Sequence, residues 1–389
     1  MPHEFDVLVV GGGPVGLSLA AALAGEGLAT ALIEPLAPAP APADGSWDTR
    51  IYAVSPGNAA FLERCGAWAR LPQERIERIE AMQVYGDDGR ARLEFSAYEA
   101  GLRELAFIVE NRELQYALWR RAQEQGASVF CPARWSGLEF GAEWARLRLA
   151  DGTGIAARLV VGADGAQSRV RAEARIAVTE RSYGQLGVVA NFECEQPHRG
   201  TAFQWFRRDG VLALLPLPGK RVSMVWCIAE ARARALAALS AADLAREVSE
   251  ASRGALGQLR AITPAAAFPL GLLRVGQLVR PRLALVGDAA HNVHPLAGQG
   301  MNLGLRDARE LAAVLAARGP RRDCGDYALL RRYERARAED VLAMQLATHG
   351  LQKLFGSEAV WLSLARNLGL ALVNRQPQLK SFLVHQAVA

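Results

Sequence analysis

The chain has 389 residues, 51% of them apolar and 22% charged, which excludes a disordered protein and allows a large buried core spread over two intertwined domains. Its formal charge of +5 does not mark a nucleic-acid binder, because Lys is nearly absent and the Arg residues alternate with Glu, Asp and Ala. The run Arg331, Arg332, Arg335 and Arg337 sits at helical spacing among acids and is expected to form a solvated face.

Five cysteines, Cys65, Cys131, Cys194, Cys227 and Cys324, are widely separated with no pair at metal-knuckle or redox spacing, which suits a reducing cytoplasm. The opening residues lack a basic region, so no signal peptide is expected, and no segment has the apolar length of a membrane span.

In chain order, Phe5 to Val10 predicts a strand, Val15 to Leu23 a small-residue helix and Thr30 to Ile33 a second strand, together one βαβ unit. Pro35 to Pro42 alternates Pro with Ala and predicts an extended loop. Asn111 to Gln125 predicts a helix, with Asn111 available as its cap. From Tyr183 to Cys227 strands dominate, including Val211 to Leu217 and Val222 to Ile228, separated by turn residues. One Ala-rich helical stretch is expected from about Ala231 to Leu259, a β-like run from Ile262 to Leu273, and α/β patterning again at Arg282 to Val286. Beyond Gly298 the pattern is helical almost to the end, and no internal repeat is seen.

Three strand-turn-helix junctions carry the chemistry. The first places Gly11, Gly13 and Gly16 in a G-x-G-x-x-G pattern, with Pro14 and Val15 opening the helix. The first glycine permits the tight turn, the second lets amides approach a pyrophosphate, and the third lets the helix pack on the strand. The helix N-terminus then favours the anion. Glu34 ends the second strand 23 residues after Gly11, near the offset of about 20 expected for a carboxylate on a ribose diol. The second junction, Val160 to Arg171, holds Asp164 and Gly165 before a helix capped near Gln167 and Ser168. The third runs through Gly287, Asp288 and His291 to Pro295, Gly298, Gly300, Met301 and Asn302. A glycine turn or an Asp-Gly pair alone could be purely structural; three such junctions in one chain are hard to ascribe to turns.

This ordered set resembles the FAD-dependent aromatic hydroxylases of the para-hydroxybenzoate hydroxylase superfamily, over nearly the whole chain. Within it, Asp48 to Ser55, Val109 to Gln115, Ala213 to Leu217 and His294 to Asp307 resemble the ubiquinone-biosynthesis branch, whose members act on polyprenylated phenols. The resemblance implies an α/β fold: a Rossmann-type FAD-binding domain with an inserted antiparallel β-sheet substrate domain and a helical C-terminal region. Residues 1–77, 106–178 and 276–389 are assigned to the FAD domain, helical from about 320, and 78–105 with 179–275 to the substrate domain.

It also implies roles. Gly11, Gly13, Gly16 and Glu34 would hold the adenosine half of FAD, Arg50 and Arg112 would lie along its ribityl and pyrophosphate, and Asp288 would bond the ribityl chain. The loop from Pro295 through Gly298, Gly300 and Met301 to Asn302 would present helix N-terminal amides to the N1 and O2 edge of the flavin. Asp164 would serve both FAD and NAD(P)H, the latter a transient reductant with no second Rossmann domain of its own. Reduced flavin and O2 would give a C4a-hydroperoxide that oxygenates a hydrophobic prenylated aromatic ring, the protein orienting the ring and excluding water.

His294, with Pro295, is the candidate catalytic residue, with a loop-structuring role for His294 as the plainer alternative. His291 and His294 share a helical turn, but without a third ligand no metal is assigned. Trp205, Phe206, Met224 and Trp226 are expected in the strands that roof the flavin, with Trp205 and Leu215 as substrate-pocket candidates. The apolar stretch Ala359 to Val373 is expected to pack on its own domain, while a greasy substrate would also suit peripheral contact with the inner membrane face or membership of a ubiquinone-biosynthesis complex. Two alternatives remain: a flavin monooxygenase acting on a soluble aromatic or polyketide, and a non-catalytic flavoprotein scaffold.

Overall fold

The computed structural model describes residues 3–42, 44–86, 92–292, 299–319 and 321–355, with side chains through residue 344. His294, Pro295, Gly298 and the stretch Ala359 to Val373 lie outside the described residues.

The first layer is a sheet whose parallel centre follows from apolar strands buried on both faces. Strands Leu283–Leu285, Gly154–Gly162, His3–Val10, Thr30–Ile33 and Ser128–Phe130 lie side by side in that order, all parallel. Val7 to Val10 and Leu159 to Val161 are almost wholly buried, as this arrangement requires. The antiparallel pair Trp135–Phe140 and Ala145–Leu149 extends the sheet beside Gly154–Gly162. Helix Pro14–Gly25 packs against the sheet and against helices Asn111–Glu124 and Gln299–Ala316. Its run of Ala, Leu and Gly lets these elements approach closely.

The second layer is a nine-stranded, largely antiparallel sheet. It runs from His291–Asn292 through Ala266–Val275, Val178–Cys194, Arg221–Ala229, Gly210–Leu217, Thr201–Arg207 and Ala81–Tyr85 to Arg92–Ser96, with Leu259–Ala261 at its side. Thr201–Arg207 and Ala81–Tyr85 pair in parallel, joining two chain segments far apart in sequence. One face buries Phe192, Met224, Trp226, Leu212, Leu214 and Trp205 against helices Glu230–Ala237 and Ala241–Ala251. The other face looks back toward the first layer. A small sheet of Ile51–Val54, Ala106–Glu110 and Glu77–Ile79 lies between.

The expected single helix over 231–259 is two helices. The second starts anew at Ser240, whose hydroxyl accepts from the Asp243 amide, a local bond that outcompetes continuation of the first. Glu110 rather than Asn111 stands at the cap position of helix Asn111–Glu124, and its side chain is committed elsewhere. Arg337 is not on a solvated face: it is buried, with its Nε 2.7 Å from Asp307 Oδ1, because helix Tyr327–Phe355 packs on helix Gln299–Ala316. All five cysteines are free thiols, and burial pushes those of Cys65 and Cys227 up to about 12, which leaves them unreactive.

Candidate active site

Among the described residues, one continuous cavity of about 1400 Å³ reaches from the Gly11 turn to the inner face of the nine-stranded sheet. Pockets for drug-sized ligands span roughly 300–1,000 Å³. The space exceeds what one such molecule needs.

At the α/β end, Gly11 to Val15 line the cavity. Gly11 has φ +112°, and a Cβ there would lie 2.4 Å from the Ala163 carbonyl oxygen, while one on Gly16 would lie 2.1 Å from the Gly11 oxygen. Both glycines are demanded by close backbone packing. Gly13 differs, since a Cβ there would meet nothing within 4 Å, so its bare backbone faces open space at the start of helix Pro14–Gly25. A turn held by two packing glycines with a third opening on a helix N-terminus fits a pyrophosphate. Glu34 lines the same end; one carboxylate oxygen accepts from the Gly12 amide and the other from Leu36 N at 3.3 Å. Gln115 Nε2 donates to the Gly12 carbonyl at 2.7 Å, bracing the turn from the neighbouring helix.

Asp164 and Gly165 line the next stretch. The Asp164 carboxylate accepts from Ser168 Oγ at 2.5 Å and from the amides of Arg169 and Val170 at 2.8 and 3.0 Å. It therefore shapes the cavity edge by capping a short helix, with Ser168 as the residue at the cap.

Arg50, Tyr52 and Asp288 also line the cavity, with the Arg50 guanidinium 5.9 Å from the centre of the Tyr52 ring. Protein atoms crowd Asp288 on most sides although its carboxylate opens onto the cavity. That desolvation pushes its carboxyl above the usual range, with the charges of His291 and Arg50 opposing and that of Asp307 adding to it. Burial likewise pushes the Tyr52 hydroxyl up to about 12, so it stays neutral.

Gly300, Met301 and Asn302, in the first turn of helix Gln299–Ala316, line the cavity, so a helix N-terminus faces it. Asn302 is fixed on several sides: its Nδ2 donates to the Ala53 carbonyl at 2.8 Å, and its Oδ1 accepts from Ser55 N at 2.9 Å and Asn58 Nδ2 at 3.0 Å.

Arg112 does not line the cavity. Its guanidinium binds the Ser46 carbonyl and lies 3.2 Å from buried Glu110, while its amide donates to Asp48 Oδ2 at 3.0 Å. Glu110 in turn accepts from Asp48 N at 2.6 Å and from Arg75. Arg112 thus ties down the loop that delivers Arg50.

Trp205 also lies off the cavity. It is buried on the far face of its strand, stacked on Tyr85 and Phe203 with centroids 5.5 and 5.9 Å away. Its neighbour Gln204 takes the cavity-facing position, a shift of one residue in strand parity. Met224 and Trp226 share the far face, and Phe206 packs with Val84 and Leu93 near the sheet's edge. Leu215 lines the cavity among Ala202, Ala213 and Val225. Ile79, Met82, Phe95 and Leu105 close the apolar side.

One cluster was not foreseen from the sequence. Asp307, fully buried, accepts from the Gly287 amide at 2.9 Å, lies 2.6 Å from His291 Nε2 and is clamped by Arg337. Burial opposes the Asp307 charge, but His291 and Arg337 outweigh it and hold the carboxyl below its usual range. The cluster locks the turn that carries Asp288 to two helices. Its signal was present in the sequence as an Arg306-Asp307 pair inside an apolar helix, where an acid on a core-facing position requires partners.

Comparisons with known proteins agree with this geometry. Residues 4–347 match the family described as FAD binding domain. The chain is 38% identical to a ubiquinone hydroxylase of Rhodospirillum rubrum, over 98% of this chain and 89% of the relative. It is 37% identical to the 3-demethoxyubiquinol 3-hydroxylase of Escherichia coli, over 96% of each. Among solved structures, the p-nitrophenol 4-monooxygenase of Pseudomonas putida superimposes with a TM-score of 0.80 at 17% identity, covering 100% of this chain and 99% of that one. A probable FAD-dependent monooxygenase of Pseudomonas aeruginosa gives 0.79 at 23% identity, covering 95% and 100%. These two show the shared fold.

Proposed function

The chain belongs to the FAD-binding-domain family of flavoprotein monooxygenases, and from that premise we propose that it hydroxylates the aromatic ring of a polyprenylated phenol in ubiquinone biosynthesis. One observation carries the reading: a single cavity joins a phosphate-binding glycine turn to an apolar sheet face, so a cofactor and a greasy ring can meet inside it. The names of the Rhodospirillum and Escherichia relatives support the pathway.

FAD held there would supply the redox chemistry, taking hydride from NAD(P)H and activating O2 so that one oxygen atom enters the ring and the other leaves as water. The protein's residues bind and orient. Gly13 and the helix behind it would take the pyrophosphate, Glu34 the ribose, and Arg50 with Asp288 the middle of the cofactor. The N-terminus of helix Gln299–Ala316 faces the cavity and would stabilise negative charge on a reduced ring. Leu215, Ala202 and Met82, which line the cavity, would exclude water around the substrate. The chemistry needs few titrating side chains, which accords with a roof free of ionised groups among the described residues.

The hydrophobic substrate also suits peripheral contact with a membrane and a place in a ubiquinone-biosynthesis assembly. No described helix is long and apolar enough to cross a membrane.

The test is anaerobic reduction of the FAD-loaded protein by NADH and by NADPH, with and without a prenylphenol, followed by admission of O2 and mass spectrometry of the products. Faster bleaching with the phenol and a product one oxygen heavier are expected. A flavin that no nucleotide or partner reductase reduces would overturn the reading in favour of a scaffold.

A further inference from the structure

We propose that Gln204 recognises the substrate ring, and that the ring it selects is neutral, carrying a hydroxyl or carbonyl oxygen rather than a carboxylate. The inference rests on the hydroxylase reading and names the residue that would select its substrate.

Gln204 stands in a wall of the nine-stranded sheet whose other lining residues are apolar except Asn292 on the edge strand. In strand register its partner is Ala213, whose own partner Val225 pairs with Val189, and Val189 pairs with Ala266. All five line the cavity. Gln204 is only 5% exposed, yet its side chain makes no hydrogen bond with any described residue, while the cavity lies open beside it. Both amide atoms reach the cavity, where solvent meets them until a ligand displaces it; a ligand without a polar group there would leave the amide unpaired, a penalty that Leu or Met at the position would avoid. The ligand that fills the cavity is therefore expected to carry the amide's partner. Ala202 and Ala213 are too small to shield the amide from whatever occupies the cavity.

The chemistry of that ligand follows from what surrounds the amide. Among the described residues, every charged group lining the cavity belongs to the α/β layer or its loops, and none to the nine-stranded sheet. A carboxylate brought against the sheet would be desolvated with no cation to meet it. A carboxamide offers one acceptor oxygen and two N–H donors, which complement a neutral hydroxyl, a carbonyl or adjacent oxygens of both kinds. The apolar row beside it accepts the rest of the ring and an alkyl chain.

The test uses FAD-loaded wild type and the Gln204→Met variant, which keeps side-chain volume and removes the hydrogen-bonding groups. Three probes are titrated without reductant and read by the change in flavin absorbance: a prenylated phenol, the same prenylated ring without its hydroxyl, and the prenylated phenol with an added ring carboxylate. Wild type is expected to favour the phenol over the deoxy ring by about ten- to a hundredfold, the range for one buried hydrogen bond whose loss leaves a group unsatisfied. It is expected to bind the carboxylate no better than the deoxy ring. Gln204→Met should lose the phenol preference while its FAD content stays at the wild-type level. Gln204→Asn, which withdraws the amide by one methylene, should show a partial loss and serves if the methionine variant does not fold. An unchanged ratio in the variant that folds, or carboxylate binding as tight as that of the phenol, overturns the proposal. The two readings fail separately. Gln204-dependent binding without any hydroxylated product would sink the hydroxylase and leave the recognition role, whereas hydroxylation with an unchanged ratio in Gln204→Met would do the reverse.

Discussion

The two ends of the cavity are made by different means. At the α/β end, recognition is built largely from backbone: a glycine turn braced by Glu34, the N-termini of helices Pro14–Gly25 and Gln299–Ala316, and the turn shaped by Asp164, each a local device of a few residues. At the sheet end it is built from alternate side chains of strands, some of them paired across long stretches of sequence. A phosphate is the same in every dinucleotide, so fixed amides serve it; a substrate ring is particular, so side chains that can vary singly face it. The difference predicts that damage to the packed residues of the first end removes fold and cofactor together, whereas damage at the cavity face of the second can alter selectivity alone.

The largest effect is expected at the Asp307 cluster. Asp307→Ala leaves buried Arg337 with only the half-exposed Asp340 as an acid partner and frees the Gly287 amide, which should cost roughly 3–5 kcal/mol in denaturant unfolding. Because the folded state holds this carboxyl low, its stabilisation is complete above the ordinary carboxylate range and is lost as pH falls through the depressed folded value. Asp307→Asn should therefore flatten the acid limb of the stability profile. An unaltered acid limb would show that the cluster does not lock the turn.

Trp205→Ala comes next and isolates the far face of the sheet. It empties a buried aromatic stack and should cost about 3 kcal/mol. The preference for a phenol over its deoxy analogue should be unchanged, since the ring lies away from the cavity. A changed preference would mean that the two faces are not independent.

The glycine turn offers a sharper contrast. Gly11→Ala meets both a positive φ and the Ala163 oxygen, and should lower stability by about 1–3 kcal/mol while stripping FAD from the purified protein. Gly13→Ala places its methyl in open space, so it should fold as the wild type does and lose only FAD affinity. Equal stability losses in the two variants would erase the distinction between a packing glycine and a contact glycine.

The same contrast explains what could be read from the sequence. Gly11 and Glu34 announce themselves through their spacing and Asp164 through a strand-turn-helix junction of its own, because each is a local device of the chain. Strand Thr30–Ile33 was legible for the same reason. Trp205 was assigned to the pocket and Gln204 was passed over because parity, set by pairing with Ala213 and Val84, is not written in the strand itself. Arg112 sits in a motif block yet is turned aside by Ser46 and Glu110, partners 66 and 2 residues away that spacing could not rank. Arg337 looked solvated because its helical neighbours are charged, and only the docking of its helix on Gln299–Ala316 reveals the buried acid opposite.

The smallest effect is expected at Asp288, and it tests whether function at the first end is held against stability. Crowding raises this carboxyl in the folded protein, so its charged form is disfavoured there relative to the unfolded chain. The sign is opposite to that at Asp307: the contribution is present below the unfolded value and is lost as pH rises through the folded one. Removing the charge in Asp288→Asn should therefore leave stability unchanged in acid and raise it slightly at neutral pH, by less than about 1 kcal/mol because the group opens onto solvent in the cavity. The same variant should bind FAD more weakly, since a carboxylate that waits for ribityl hydroxyls is a stronger acceptor than an amide. Thermal unfolding of the apoprotein across this pH range, beside FAD titration of each form, measures both. A variant that is less stable at neutral pH would place Asp288 among the structural carboxylates with Asp307, and the division between a locked turn and the acid it presents would fall.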